Sequence, residues 1–210
     1  MLEICPKCKD HEWNKEVKGN EIICPSCGNT WKFKKLPLFI LTGCSGVGKT
    51  TTLLKLMEEP GDFLVMDADI FYGFMKLETQ EDYKKRVEGI ENLSKDLMQG
   101  GKPVLWAMAG NIDKLDQVWP SSFFQEICVL ALVCGEEELR DRMRNGRKIT
   151  DENWIEGSVS YNQYFREHDR IGSVKFETLD ISGKTPDEAA KGVRDWCRKH
   201  LKLCENNRNY

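Results

Sequence analysis

The residues that could do chemistry in this chain begin with a glycine-rich segment between an apolar run and a helix-compatible run. The segment has the pattern Gly-x-x-x-x-Gly-Lys-Thr, from Gly43 to Thr50. Glycines let a backbone bend sharply and bring its N–H groups close to the oxygens of a phosphate. The N-terminal end of the following helix adds further donors and a positive dipole end. The pattern therefore predicts a loop that holds the phosphates of a nucleoside triphosphate.

Each position of this loop has a predicted task. The side chain of Lys49 can reach the β and γ phosphate oxygens, and Thr50 can offer its hydroxyl to Mg²⁺. The alternative is a chance glycine-rich turn, but the apolar run before the loop and the helical pattern after it argue against that. We expect ATP or GTP to be bound by the loop residues, which are Gly43, Ser45, Gly46, Val47, Gly48, Lys49, Thr50 and Thr51.

Two acidic residues, Asp67 and Asp69, follow the next apolar run, residues 63–66. A continuous apolar run is typical of a strand buried on both faces of a parallel sheet, and ligands bind at the carboxyl ends of such strands. A third apolar run, residues 103–110, ends without an acid, so we assign the binding of Mg²⁺ to Asp67. The alternative is a surface turn that carries two ordinary aspartates.

Four cysteines near the start of the chain form two Cys-Pro-x-Cys pairs separated by fifteen residues. The spacing fits a tetrahedral zinc site, in which two tight turns each present two thiolates. Disulfides or a redox pair are the alternatives, and the lack of an export signal disfavours both. Short strands are predicted between and after the pairs, which resembles a zinc ribbon. The predicted zinc ligands are Cys5, Cys8, Cys24 and Cys27.

The ribbon also carries aromatic residues, Trp13, Trp31 and Phe33. These rings could stack on nucleic-acid bases, or they could form the ribbon's small core or its contact with the rest of the chain. We favour the structural role and keep contact with nucleic acid or protein as the alternative.

A basic segment, residues 140–148, contains five Arg or Lys residues within nine positions. It could be a solvated helix end. In a protein that transfers phosphate, we interpret it as a mobile lid, because arginine can stack on a base or bind phosphate oxygens through two N–H groups.

The net charge, the length of the apolar runs and the order of the predicted elements limit the possible partners and the fold class. The net charge of −3 does not call for nucleic acid or an anionic membrane as a partner. No apolar run approaches the roughly 20 residues that cross a bilayer, and the first residues lack a signal core, so we expect a cytoplasmic protein. Strands and helices alternate five times, which predicts an α/β fold: a five-stranded parallel sheet with helices on both faces. We divide the chain into a ribbon (1–36), a main domain (37–204) and a flexible tail (205–210).

With the loop after the first strand, Asp67 and Asp69 after the second and the basic segment after the fourth, residues 37 to about 202 resemble the P-loop small-molecule and nucleoside or nucleotide kinases. The shikimate and gluconate kinases and chloramphenicol phosphotransferase-like proteins are similar. The resemblance implies catalytic roles for Lys49, Asp67, Asp69 and Arg142. Asp67 would hold Mg²⁺ through water, and Asp69 would act as the base for the acceptor hydroxyl. Arg142 and Arg147 would close over the nucleotide.

Three functions remain open at this stage. The first is a kinase that transfers the γ-phosphoryl group to a small molecule, possibly a nucleoside or nucleotide. The second is a nucleic-acid-end kinase or repair protein that grips the polymer with the ribbon. The third is a nucleotide-binding regulatory module whose ribbon contacts a partner. For a kinase, aromatic residues such as Phe71, Tyr72 and Trp106 could line the acceptor pocket, which would suit a flat or partly apolar molecule. The aromatic residues after Asp69 could equally fill the core.

Overall fold

The computed structural model describes residues 2–59 and 61–206, which form a small antiparallel sheet, a larger parallel sheet and the helices packed on it. In chain order the elements are β1 (Glu16–Lys18), β2 (Glu21–Ile23), β3 (Thr30–Lys32), β4 (Leu38–Thr42), α1 (Lys49–Met57), β5 (Leu64–Asp67), α2 (Gln80–Leu97), β6 (Val104–Ala107), β7 (Ile127–Val133), α3 (Glu136–Asp141), α4 (Glu152–Glu167), β8 (Arg170–Ile171), β9 (Val174–Lys175), β10 (Glu177–Asp180) and α5 (Pro186–Asn206). Short 3₁₀ turns and one π-helical turn connect several of them.

The larger sheet has the strand order β10-β7-β4-β6-β5, and all four neighbouring pairs are parallel. Every residue of β4 is buried, as expected for a central strand with a continuous apolar sequence. Alternate side chains of β4 face opposite sides: Phe39 packs in one apolar core with residues of α1 and α5, and Ile40 in a second core with residues of α2. The predicted five-stranded parallel sheet with helices on both faces is confirmed.

Three elements differ from what the sequence pattern predicts. The apolar residues of 174–180 predict one strand, but the structure has a short hairpin, β8 and β9, followed by β10. The hairpin ends at Phe176, whose N–H donates to the Asp169 carbonyl. The aromatic segment 70–77 predicts a short helix, but the structure has a 3₁₀ turn over Ala68–Gly73. The acids after Gly135 predict a helix that runs into the basic segment, but this helix changes at Arg142 into a π-helical turn, Arg142–Gly146.

The ribbon strands β1, β2 and β3 form an antiparallel sheet that lies against the main sheet's helices. Phe33 is buried edge-to-face against Phe123, with ring centroids 5.4 Å apart. Glu3 and Lys95 form an ion pair in which both side chains are buried. Apolar and ionic contacts therefore both join the ribbon to the following residues. Phe33 takes part in this packing, whereas Trp13 is 61% exposed.

The last helix extends beyond residue 204, where the main domain was predicted to end. The helix α5 includes residues 205 and 206, the first two residues of the predicted flexible tail. The remaining four residues of that tail, 207–210, lie outside the described residues. Among the described residues, no helix combines the length and apolarity needed to span a membrane.

Candidate functional site

The glycines of the loop after β4 adopt conformations that only glycine tolerates. Gly43 has φ 137°, and a Cβ there would lie 2.6 Å from the carbonyl oxygen of Leu132. Gly46 has φ 80°, and a Cβ there would lie 2.6 Å from Cγ of Met143. The loop therefore runs directly against β7 and the π-helical turn, which leaves no room for side chains.

Lys49 begins α1 and folds back over the loop. Its ammonium donates to the carbonyl oxygens of Gly43 and Cys44, each at 2.8 Å. Desolvation by the surrounding protein lowers the pKa of Lys49 from its usual value, and the charges of Asp69 and Asp67 are among the effects that oppose this shift. The side chain of Lys49 is therefore held at the loop, within electrostatic reach of both carboxylates.

The two aspartates lie at the carboxyl edge of the sheet beside this lysine. Asp67 ends β5, and its carboxylate accepts a hydrogen bond from the N–H of Asp69 at 3.0 Å. Both residues line a cavity of about 860 Å³ together with Lys49 and Thr50. This volume lies within the range of ordinary small-molecule sites. Of the predicted nucleotide-binding residues, only Gly43 and Val47 do not line the cavity.

Two arginines of the basic segment reach the loop, and two others do not. Arg142 donates to the carbonyl oxygen of Val47 at 2.6 Å and to Glu138 at 2.5 Å. Arg147 donates to Oγ of Ser45 at 2.6 Å, and its guanidinium lies 5.6 Å from the ring centroid of Trp154.

The remaining arginines of the segment point to other partners. Arg140 pairs with Glu136 and Glu156, and Arg144 pairs with Glu152. The structure thus brings the two arginines predicted as nucleotide ligands, Arg142 and Arg147, to the cavity wall, and ties the other two arginines to α3 and α4.

Sequence reasoning missed the wall formed by the connection from β10 to α5. The sequence pattern at Thr185, Pro186 and Glu188 predicts only a helix start, and the capping box of Thr185 with Glu188 is present. Thr185 and Pro186 also line the cavity, as do Ile181 and Lys184. The signal that could have found them is their place after the last parallel strand, at the same edge of the sheet as the loop.

The predicted aromatic lining of the acceptor side is only partly correct. Tyr72 lines the cavity and is exposed. Phe71 and Trp106 are buried in the core instead, and Nε1 of Trp106 donates to Oγ of Ser94 at 2.7 Å. A place in the pocket was wrong for these two. Trp106 belongs to β6, a strand buried on both faces, and Phe71, in the 3₁₀ turn, packs against Trp106 with ring centroids 5.9 Å apart.

Arg86 is a further residue that sequence reasoning missed. It is 2% exposed, and its Nε and Nη2 have no hydrogen-bond partner among the described residues. Its guanidinium lies 5.8 Å from the ring centroid of Tyr72 and 5.7 Å from that of Tyr83. A buried cation with unused donors is costly, so such a group behind a cavity-lining tyrosine is a candidate functional residue.

The cysteines separate into two kinds. Cys44, inside the loop, is buried, and desolvation raises its pKa to about 12, so its thiol stays protonated at neutral pH. The four ribbon cysteines, Cys5, Cys8, Cys24 and Cys27, have all their sulfur atoms within 4.8 Å of one another. The Cys5–Cys27 and Cys8–Cys24 sulfur distances are both 3.7 Å. A tetrahedral Zn²⁺ with Zn–S bonds of about 2.3 Å needs edges of about 3.8 Å, so the cluster fits zinc.

No protein-family model and no curated protein matches this chain. Among solved structures it is similar to a sugar kinase from a Janibacter species (TM-score 0.55, 16% identity, 79% of this chain and 95% of that chain). This chain shares the fold of that sugar kinase. A gluconokinase from Sinorhizobium meliloti (0.53, 14%, 83% and 99%) and a shikimate kinase from Acinetobacter baumannii in complex with shikimate (0.50, 18%, 79% and 94%) are also similar. The likeness covers nearly the whole of each neighbour and about four fifths of this chain.

Proposed function

We propose that this protein is an ATP- or GTP-dependent phosphotransferase that moves the γ-phosphoryl group to a hydroxyl or phosphate group of a small molecule. The observation that carries the proposal is one cavity shared by the phosphate-type loop, Lys49, Asp67 and Asp69. The kinases with the same fold support the reaction class. A loop alone would serve any nucleotide-binding protein, whereas the second carboxylate provides a place for an acceptor.

The donor half of the reaction belongs to the loop and to Lys49. In the proposed complex the ammonium of Lys49 exchanges its two carbonyl partners for phosphate oxygens, and the loop N–H groups hold the remaining oxygens. Thr50 and Asp67 supply the hard oxygen ligands that Mg²⁺ prefers. The ion, when bound, neutralises charge on the phosphates. Both residues line the same cavity, so the donor set fits the ion.

The acceptor half belongs to Asp69. Asp69 lies two residues after Asp67, to whose carboxylate its N–H donates, and its own carboxylate is within electrostatic reach of Lys49. It would accept a hydrogen bond from the acceptor hydroxyl, orient it toward the γ-phosphorus and take its proton. Arg142 and Arg147, already on the loop, would turn from Val47 and Ser45 to the phosphates and exclude water.

The decisive experiment compares two aspartate variants. Asp69→Asn should keep nucleotide affinity within a few-fold of wild type and lower phosphoryl transfer by about 10²- to 10⁴-fold, because only the proton acceptor is lost. Asp67→Asn should weaken the dependence of nucleotide binding on Mg²⁺. Asp62→Asn is the control, since this exposed carboxylate pairs with Arg198 away from the cavity. Near-normal transfer by Asp69→Asn would show that the assigned base is wrong.

We propose that the ribbon binds one Zn²⁺ through Cys5, Cys8, Cys24 and Cys27. The fit of the sulfur distances to a tetrahedron supports this assignment. A segment with so small a core depends on the ion for its fold. Metal analysis of purified protein should find zinc that is lost in Cys24→Ser. Full retention of zinc by this variant would contradict the assignment.

The position of the ribbon supports a structural role over polymer binding. Phe33 is buried against Phe123, so its ring is already used in packing, and Trp13 lies edge-on to Trp119 at 6.1 Å with 61% of its surface exposed. A nucleic-acid-end kinase would show oligonucleotide binding that strengthens at low salt, where phosphate contacts are strongest. We expect no such binding. A regulatory module would bind nucleotide without transferring phosphate to any acceptor.

A further inference from the structure

A second group of metal-type ligands lies at the opposite edge of the parallel sheet from the loop. Glu126 directly precedes β7, Cys128 is its second residue, and His200 lies on α5. We propose that Glu126, Cys128 and His200 form a second Zn²⁺ site, separate from the ribbon cysteines and from the nucleotide cavity. The inference does not depend on the proposed phosphotransferase activity.

The backbone explains why these residues meet. Residues two apart in an extended chain point to the same face, so Glu126 and Cys128 share the face of the sheet that α5 covers. The carbonyl of Glu126 accepts a hydrogen bond from the N–H of Leu38 at 2.9 Å, which fixes this end of the strand in the sheet. The ring of His200 packs near Phe39, with ring centroids 6.5 Å apart. It therefore approaches Cys128 from the face of the sheet that α5 covers.

The ligand atoms have spacings that suit zinc. One atom from each residue lies within 4.8 Å of the other two. Sγ of Cys128 and Nδ1 of His200 are 3.5 Å apart, and a tetrahedral ion with ordinary Zn–S and Zn–N bonds needs about 3.6 Å. Nδ1 of His200 and a carboxylate oxygen of Glu126 are 4.0 Å apart, where about 3.4 Å is needed. Glu126 is 58% exposed, so its side chain is free to make this small adjustment.

A separate observation fixes the histidine in a ligating form. Nε2 of His200 lies 2.6 Å from the carboxylate of Glu177. An ionised carboxylate has no proton to donate, so it acts as the acceptor of this hydrogen bond. Two further donors, Nε1 of Trp196 at 2.9 Å and Nζ of Lys199 at 3.2 Å, hold this carboxylate. The proton therefore belongs on Nε2, and the lone pair of Nδ1 faces Cys128 and Glu126. Metal-ligating histidines commonly have such a carboxylate behind them.

The mixed donor set indicates which ion would bind. A thiolate with an imidazole and one carboxylate suits Zn²⁺ and disfavours the hard ions Mg²⁺ and Ca²⁺. On binding, zinc would replace the thiol proton of Cys128, which leaves to solvent. Three protein ligands leave a fourth position for water, and the three line a cavity of about 440 Å³ that can hold it. Zinc here would tie α5 to the first residues of β7.

The test is the zinc content and zinc affinity of full-length protein and its variants. We expect two zinc ions per chain in wild type, and one in Cys128→Ser and in His200→Gln. Cys24→Ser should lose the other ion, and the double variant Cys24→Ser/His200→Gln should lose both. Should wild type hold a single ion that only the His200 and Cys128 variants lose, this site is supported and the ribbon assignment fails. Cys134→Ser is the control, because Cys134 is also a buried thiol but directly follows the other end of β7, away from Cys128.

Two further variants guard against a folding artefact. Glu126→Gln changes an exposed side chain and should lower zinc affinity without unfolding the protein. Glu177→Gln, a positioning change, should lower affinity by about 10- to 100-fold. Added zinc should raise the Tm of Cys24→Ser and leave that of Cys24→Ser/His200→Gln unchanged. The inference is overturned if Cys128→Ser, His200→Gln and Glu126→Gln all keep the zinc content and affinity of wild type.

Discussion

Replacing Gly43 by alanine tests the link between the sheet and the nucleotide loop. The added Cβ would lie 2.6 Å from the carbonyl oxygen of Leu132 and 3.0 Å from Cγ1 of Val47, where ordinary contact begins at 3.4 Å. The oxygen belongs to the backbone of the neighbouring strand β7, so it cannot rotate away. The backbone at Gly43 has φ 137°, which L-residues rarely adopt. The loop must therefore move away from β7.

The cost can be estimated from these two effects. A residue held in a sparsely populated backbone region costs about 1 to 3 kcal/mol. Inserting a methyl group into a filled space costs about 1 to 3 kcal/mol more. Together they lower the free energy of unfolding by about 2 to 6 kcal/mol, which corresponds to a fall in Tm of about 5 to 20 °C for a chain of this length. Since the loop N–H groups shift, nucleotide affinity should fall by at least about tenfold, which is about 1.4 kcal/mol.

The assay is thermal unfolding followed by circular dichroism, with nucleotide binding followed by calorimetry. The matched control is Gly157→Ala in α4, where an added Cβ has no heavy atom within 4 Å. This change should stabilise the protein by about 0.8 to 1 kcal/mol and leave nucleotide affinity unchanged. Wild-type Tm and wild-type nucleotide affinity in Gly43→Ala would refute the reasoning.

Three other predictions follow from the same structure. Lys95→Met should lower the free energy of unfolding by about 3 to 5 kcal/mol by chemical denaturation, because it removes the ammonium from a buried ion pair with Glu3. Burial raises the pKa of the Glu3 carboxyl, but the hydrogen bond from Lys95 and the other contacts outweigh it, so this pKa lies below its usual value. The stabilisation by Glu3 should therefore be present above the usual pKa of a glutamate and be lost as the pH falls. Wild type should lose more stability on acidification than Glu3→Gln, in which other carboxylates of lowered pKa still titrate. Arg86→Met should not lower Tm but should reduce kcat/KM for the acceptor, while an unchanged kcat/KM would remove Arg86 from the site. Cys44 should resist alkylating reagents at pH 7.5 in the folded protein, and rapid labelling would contradict its raised pKa.

Local spacing in the sequence was enough to predict several features. The glycines of the loop, the zinc-type cysteines and the start of α5, capped by Thr185, each depend on residues within a few positions of one another. The parallel sheet followed from apolar runs alternating with helical patterns. The structure contains all of these because short-range geometry and strand burial decide them.

Other features depend on contacts between distant parts of the chain. Arg142 meets Val47 across 95 positions and Arg147 meets Ser45 across 102, so spacing alone could not select them from the basic segment. In the sequence, a tryptophan near the end of a strand could equally be a pocket residue or a core residue. Only the packing of Trp106 against α2 shows that it belongs to the core. The cluster around His200 unites strand and helix residues 72 positions apart. Tertiary packing, which the sequence pattern does not report, decides each case.

Transfer of the labelled γ-phosphoryl group tests the central claim most directly. The protein would be incubated with γ-labelled ATP, Mg²⁺ and a small-molecule extract of its source cells, and the products separated. The account predicts a labelled small molecule that forms with wild type and with Asp62→Asn but not with Asp69→Asn or Lys49→Met. Label that stays on ATP, or is released only as inorganic phosphate at the same rate with wild type and Asp69→Asn, would contradict it.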